Sequence, residues 1–383
     1  MSQHRHRRLY SIGSIGSTGP VDSLPPQGGP GLGAFVAAPE LEEPDSLGHP
    51  GHPGHRLIDA FGRRLTYLRV SVTDRCNLRC EYCLPEDEEL PRGGRDFLSA
   101  AEIERMVGAF VRLGIRRVRL TGGEPLVRKD ILEIARRIKA LPGVENLALS
   151  TNATELERLA PALKAAGVDR VNVSLDSLDA ETFREITRRG DLERVWRGVE
   201  AALAAGLHPV KLNTVLLAGG DPRDLDRLAA LTLDRPLSVR FIEMMPTAAN
   251  RRLQSGAFLS CDDVRARLEA RYGALEPALS AAPRTGPAES FRIPGARGEI
   301  GFITPLSHTF CADCNRLRLT ARGELRLCLF AERNHPLKPA LDEPDSDLAL
   351  EREILRVLAD KPAEHMLRQG DSGNLVSFME IGG

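Results

Sequence analysis

Residues 68–73 read Leu-Arg-Val-Ser-Val-Thr, and their alternation decides the fold. Successive side chains of a strand point to opposite faces, so Arg69, Ser71 and Thr73 share one face while Leu68, Val70 and Val72 share the other. The same split recurs downstream. Arg119 and Thr121 oppose Val118 and Leu120; Asn172, Ser174 and Asp176 oppose Val171, Val173 and Leu175; Lys211 and Asn213 oppose Val210 and Leu212. Arg240 lies within a further such stretch.

Working outward, strands are expected at Thr66–Val72, Arg116–Thr121, Asn146–Ser150, Asp169–Ser174, Pro209–Leu216 and Leu237–Glu243, with amphipathic helices between them. The first helix opens on a capping box at Ser99 and Glu102 and stops at Gly114. This βα rhythm implies a parallel sheet. A doubly wound sheet, covered by helices on both faces, has near-continuous apolar strands. These strands have one cationic or hydroxylic face, which predicts an incomplete (βα)6 TIM-like barrel with helices outside and a polar lumen. Uncompensated buried charge costs several kcal/mol per ion, so the lumen calls for a polyanionic ligand. Pairing of each cation with a local carboxylate is the alternative.

The chain has 383 residues, 42% hydrophobic and 27% charged, an ordinary globular composition that excludes a largely disordered, collagen-like or membrane-spanning protein. Lys+Arg 52 against Asp+Glu 53 removes the bulk electrostatic case for a nucleic-acid binder. Residues 1–55 are rich in Gly, Pro, Ser and His, including His49, His52 and His55, and are expected to form a disordered tail. A partial barrel is expected over 56–277, and a C-terminal region over 278–383. The basic start runs into Ser and Gly rather than a hydrophobic segment, so a cytoplasmic protein is expected.

The seven cysteines are too few and too odd in number for a disulfide framework in a chain of this size, which points to reduced thiols with another use. Cys76, Cys80 and Cys83 form C-x3-C-x2-C after the first strand, at the carboxyl end of the sheet where α/β folds bind ligands. Three thiolates can hold three corners of an iron–sulfur cube, and zinc is the competing reading. Cys311, Cys314 and Cys328 form a second set of three, for which His308 could close a zinc site. Cys261 is expected to be an unligated packing residue.

CNLRCEYC resembles the radical S-adenosylmethionine (SAM) signature, and Gly122-Gly123-Glu124-Pro125 resembles the GGEP motif of that superfamily. Together with NVSLDSLD, RFIEMMP, CADCNRLRLT and the terminal IGG, the chain from Leu57 onward resembles the GTP 3′,8-cyclase family of molybdenum cofactor biosynthesis. A radical SAM enzyme modifying a peptide should have more auxiliary cysteines and would not need cations on several strands; a zinc- or cluster-binding scaffold is the non-enzymatic alternative.

The resemblance implies two [4Fe–4S] clusters, one on Cys76, Cys80 and Cys83 and one on Cys311, Cys314 and Cys328 in a C-terminal substrate-binding region. It implies SAM contacts from Tyr82, Gly123, Ser174 and Met245, although Tyr82 and Met245 also read as packing residues. It implies GTP contacts from Arg69, Arg119, Ser150, Lys211, Arg240, Arg316 and Arg318, and insertion of the C-terminal Gly383 into the active site. It further implies a homodimer, an external electron donor and hand-over of product to cyclic pyranopterin monophosphate synthase. The family often has Gly where this chain has Ala153, which leaves the shape of that loop less certain.

Overall fold

The structure is a computed structural model that describes residues 56–84, 97–247, 250, 258–278, 286–370, 372–373, 377–379 and 381. The expected tail and the terminal Gly382 and Gly383 lie outside the described residues. Strands β1 (Tyr67–Ser71), β2 (Arg117–Thr121), β3 (Asn146–Thr151), β4 (Arg170–Ser174), β5 (Val210–Leu216) and β6 (Leu237–Glu243) pair in sequence order, all parallel. Helices α1 (Ala100–Arg112), α2 (Ile131–Ala140), α3 (Leu156–Ala165), α4 (Ala180–Thr187), α5 (Leu192–Ala204) and α6 (Pro222–Asp234) connect them, and α7 (Cys261–Tyr272) follows β6.

Local chemistry explains the helix ends. The Ser99 hydroxyl accepts from the Glu102 N–H, and the Glu102 carboxylate accepts from the Ser99 N–H at 2.7 Å, the reciprocal box expected there. Ser260 and Asp263 repeat it at α7. The apolar strand face packs outward: Leu68, Val70, Val118, Leu120, Val171, Val173, Val210 and Leu212 are buried in one core with Ile103, Met106 and Phe110 of α1. Each such side chain contributes roughly 1.5–3 kcal/mol of burial.

The C-terminal region continues the same sheet at both edges. After β7 (Glu276–Pro277) and β8 (Glu289–Arg292), β9 (Glu299–Ile303) pairs parallel with β6. On the other side, β10 (Arg316–Leu319) pairs parallel with β1 and carries β11 (Glu324–Arg326) and β12 (His335–Pro336), before α8 (Ser346–Leu358). The strand order is β12-β11-β10-β1-β2-β3-β4-β5-β6-β9-β8-β7. The second cysteine set therefore flanks β10, directly beside β1, whose following loop carries the first set. No helix among the described residues is long and apolar enough to cross a membrane.

Candidate active site

Both cysteine sets line one cavity of about 350 Å3. Its wall includes Cys76, Cys80, Cys83, Tyr82, Gly123, Ser174 and Met245, together with Arg69, Arg119, Ser150, Lys211, Arg240, Arg316, Arg318, Cys311, Cys314 and Cys328. Among the residues expected from sequence to form the site, only Gly383 is not placed there, since it lies outside the described residues. Met245 also packs against the small cluster of Phe330, Leu367 and Ile381, so packing and cavity lining coexist at that residue.

Strand register explains the cationic wall. Arg318, Arg69 and Arg119 are in register across β10, β1 and β2, and the same rung continues through Ala148 to Arg170 on β4. Neighbouring strands lie about 4.8 Å apart, so these like charges stand side by side. Arg119 donates from Nη1 to Ser150 Oγ at 3.2 Å and from Nε to the Tyr67 hydroxyl. Arg119, Arg170, Lys211 and Arg240 form no ion pair with a carboxylate among the described residues; Glu299 acts on Lys211 and Arg240, and Asp169 on Arg170, but each is outweighed by the neighbouring guanidiniums.

The electrostatics register the missing counter-charge. Burial, reinforced by Arg240, Arg170 and Arg119, pushes the Lys211 amine down to about 6. Burial and then Arg119 bring Arg240 down to about 10. Burial opposes ionisation of the Tyr67 phenol, but Arg119, Arg69 and Arg170 outweigh it and bring the group down to about 8. Buried Arg170 Nε, Arg240 Nε, Asn172 Oδ1 and Asn213 Oδ1 have no hydrogen-bond partner among the described residues. Gly301 on β9 makes room for Arg240, since a Cβ there would come within 3.0 Å of Arg240 Cγ. An anion with several oxygens would satisfy the two guanidinium donors and restore charge to the lysine, whereas the two asparagine oxygens accept and call for an N–H or O–H on the same ligand.

The first cysteine loop is held both from within, where Arg79 Nη1 donates to the Cys76 and Leu78 carbonyls at 2.8 Å, and by its neighbours. Asn77 Nδ2 donates to Thr154 Oγ1 and Asn152 Nδ2 to Asn77 Oδ1, both at 2.8 Å. The Glu124 carboxylate accepts from Thr151 Oγ1 at 2.7 Å, from the Asn152 N–H at 2.6 Å and from the Leu126 N–H at 3.0 Å. Its own N–H donates to the Arg75 carbonyl at 2.7 Å. Glu124 thus staples the loops after β1, β2 and β3 together, and burial pushes its carboxyl up to about 7. Ala153 takes the left-handed conformation (φ 61°) that the loop requires, with its N–H donating to Thr151 Oγ1. The turn shape therefore survives alanine at this position.

Tyr82 donates to Asp176 Oδ2 at 2.7 Å, and the other oxygen of Asp176 accepts from the Val215 N–H. Ser377 Oγ donates to the Cys83 carbonyl at 2.6 Å, and Phe378 and Met379 line the cavity, so the chain near its C-terminus lies over the first cysteine set. Tyr67 and Arg170 are site residues absent from the sequence expectation, while Glu124 and Asp176 appeared there only within a motif and on a strand face, with no role assigned.

The donor sets fit iron–sulfur clusters. Each set offers three free, half-buried thiols whose charges oppose one another. Burial, then Glu124, pushes Cys76 up to about 11, and burial pushes Cys83 up to about 12. Burial also opposes ionisation of Cys314, but Arg316 and Lys361 outweigh it and bring the thiol down to about 7. Soft thiolates bound to iron are deprotonated, and the open fourth position leaves an iron for a ligand. His308 does not complete the second set: its ring nitrogen meets Asp262 at 2.8 Å in an exposed pair outside the cavity. Cys261 is buried, with Sγ 3.5 Å from the Phe241 and Ile303 carbonyls, away from both sets, as expected.

Residues 70–232 match the radical SAM superfamily, and residues 237–367 match the Molybdenum Cofactor Synthesis C family. The chain is 46% identical over 314 residues to a GTP 3′,8-cyclase of Pelotomaculum thermopropionicum, covering 82% of this chain and 96% of that one. It is 45% identical over 331 residues to a GTP 3′,8-cyclase of Pseudomonas entomophila, covering 85% and 98%. Among solved structures, Streptococcus suis SuiB bound to S-adenosylmethionine superposes with a TM-score of 0.54 at 15% identity, covering 79% of this chain and 68% of that one, a likeness of fold. With its two cysteine triads in one barrel and these relatives along most of its length, the chain belongs to the GTP 3′,8-cyclase family of the radical SAM superfamily.

Proposed function

We propose that this chain is a lyase that converts GTP to (8S)-3′,8-cyclo-7,8-dihydroguanosine 5′-triphosphate by joining C3′ of the ribose to C8 of the guanine, the first step of molybdenum cofactor biosynthesis. The observation that carries this reading is the convergence of two three-thiol sets and a rung of guanidiniums on one cavity. Cys76, Cys80 and Cys83 would hold one [4Fe–4S] cluster, and Cys311, Cys314 and Cys328 the other. When bound, the first cluster would supply the electron that cleaves SAM to methionine and the 5′-deoxyadenosyl radical; one hydrogen would leave C3′ of GTP for 5′-deoxyadenosine, and one further electron from the external donor and one proton would complete the dihydro product.

The protein's own groups bind and orient. Arg69, Arg119, Lys211, Arg240, Arg316 and Arg318, joined by Arg170, hold the triphosphate by charge-assisted hydrogen bonds. Ser150 and Tyr67 fix the Arg119 fork. Tyr82, Gly123, Ser174 and Met245 contact SAM, with Tyr82 anchored by Asp176. Such fixed placement converts encounter into an effectively unimolecular step. The family footing further supports a homodimer in the cytoplasm, an external electron donor and a cyclic pyranopterin monophosphate synthase as recipient of the product.

Anaerobic incubation of cluster-loaded protein with GTP, SAM and a strong reductant tests the reading. Both 5′-deoxyadenosine and cyclised GTP are expected, and absence of both overturns it. Replacing Arg119 with Met removes a buried charge-assisted donor, worth roughly 2–4 kcal/mol. Steady-state assays should then show kcat/KM for GTP lowered roughly 30- to 700-fold, with SAM affinity retained. Removing Gly382 and Gly383 should abolish cyclisation while leaving both clusters in place, because the preceding Ser377–Met379 stretch already lies over Cys83. A truncated enzyme cyclising GTP at the parent rate contradicts the role given to the tail.

A further inference from the structure

Behind the second cysteine set lies a charge that the proposed chemistry does not use. Lys361, just past α8, is 3% exposed, and no carboxylate among the described residues pairs with it. Its ammonium donates to the Leu327 carbonyl at 2.5 Å and to the Arg316 carbonyl at 3.2 Å. Leu327 immediately precedes Cys328, and Arg316 stands two residues past Cys314. One side chain therefore grips the backbone beside two of the three cysteines.

Arg63 grips the third. Its Nη1 donates to the Cys311 carbonyl at 2.8 Å and to the Ala363 carbonyl at 2.6 Å, and its Nη2 to the Pro362 carbonyl at 2.6 Å. Asp59 neutralises Arg63 through a buried contact at 2.6 Å. Segment 361–363 and the backbones carrying Cys311, Cys314 and Cys328 thus form one hydrogen-bonded frame, in which Arg63 has a counter-ion and Lys361 has none. The chargeable groups that act on Lys361 are the thiols of Cys314 and Cys328 and the guanidiniums of Arg63 and Arg316. An uncompensated buried ammonium is costly, so a negative charge is expected beside it, and cysteine thiolates bound to iron supply one.

We propose that Lys361 is the counter-charge of the second cluster, a positioning residue that holds the cysteine-bearing backbone and makes that cluster easier to reduce. This rests on the reading of Cys311, Cys314 and Cys328 as cluster ligands. The sign follows from electrostatics: one-electron reduction adds a negative charge, which a fixed positive charge nearby stabilises. Hydrogen bonds and charge around the ligands are among the protein's means of setting such potentials.

The test compares the parent holoenzyme with Lys361→Met, which keeps the chain length without the charge, and Lys361→Arg, which keeps the charge. Potentiometric titration followed by EPR reads both clusters, the first serving as internal reference. Lys361→Met is expected to move the midpoint of the second cluster to more negative potential and leave the first unmoved, while Lys361→Arg stays with the parent. An unshifted second midpoint in Lys361→Met, with both clusters retained, overturns the proposal, as does an arginine variant displaced as far as the methionine one. If Lys361→Met loses the second signal altogether, the arginine variant decides: a retained signal at the parent potential supports the proposal, and loss in both overturns it. Cys314→Ser separates the two failures. Iron content unchanged by Cys314→Ser defeats the reading of the second triad, whereas loss of the second signal there, with an unmoved midpoint in Lys361→Met, defeats only the role of Lys361.

Discussion

Cys314→Ser is expected to cleave SAM and yield no cyclised GTP. The two cysteine sets share a cavity but hang from different parts of the sheet, the first on the loop after β1 and the second around β10. The first loop is secured by Asn77, Asn152, Thr154 and Ser377, none of which bonds to the second set. Loss of a thiol at 314 therefore leaves the first set and its SAM site in place. On the other side, burial opposes ionisation of Cys314 but Arg316 and Lys361 outweigh it, and Arg316 also lines the shared cavity. Serine, a hard and poorly ionised donor, replaces a soft thiolate there. Product formation should fall below detection while 5′-deoxyadenosine still appears under strong reductant. Loss of SAM binding instead would mean that the two sets are not independent.

Gly123→Ala should remove activity by a different route, through the backbone. A Cβ at Gly123 would stand 2.3 Å from the Arg75 carbonyl oxygen and 2.6 Å from its carbon, immediately before Cys76. Neither atom belongs to a flexible side chain, so one loop must move. The Gly123 and Glu124 N–H groups donate to Thr73 and Arg75 at 2.8 and 2.7 Å, and that displacement breaks the lock between the two loops. Overpacking of this kind costs about 1–3 kcal/mol. The expected result is a lowered melting temperature, loss of about half the reconstituted iron and no 5′-deoxyadenosine. Gly220→Ala, where the nearest contact is an ordinary 3.4 Å, is the control and should behave as the parent.

Much of this architecture was legible in the chain because a parallel barrel writes two signals at once. Arg69, Arg119 and Lys211 alternate with valines and leucines, which placed them on the lumen face, and the structure puts all three in the cavity wall. Tyr67 and Arg170 carry the same alternation, Tyr67 with Arg69 and Arg170 with Asn172, but neither belongs to a motif, so they stood out only once the register set Arg170 on the rung of Arg119. The strands that flank the six-stranded core were not legible. β9 and β10 find their partners β6 and β1 across loops and, for β10, across most of the chain, and no local pattern names a distant partner. Glu124 was visible as part of a motif, but its work as a three-loop staple depends on where Thr151 and Asn152 arrive. Arg63 and Lys361 act on backbone carbonyls, which carry no residue-type signature at all.

If the cavity holds C3′ of GTP within reach of the radical generated at the first cysteine set, as proposed, transfer of a labelled hydrogen will report it. Cluster-loaded enzyme given GTP carrying deuterium at C3′ should return that deuterium in 5′-deoxyadenosine, in step with cyclised product. Unlabelled 5′-deoxyadenosine formed alongside cyclised GTP would contradict the account, since the hydrogen would then have come from elsewhere.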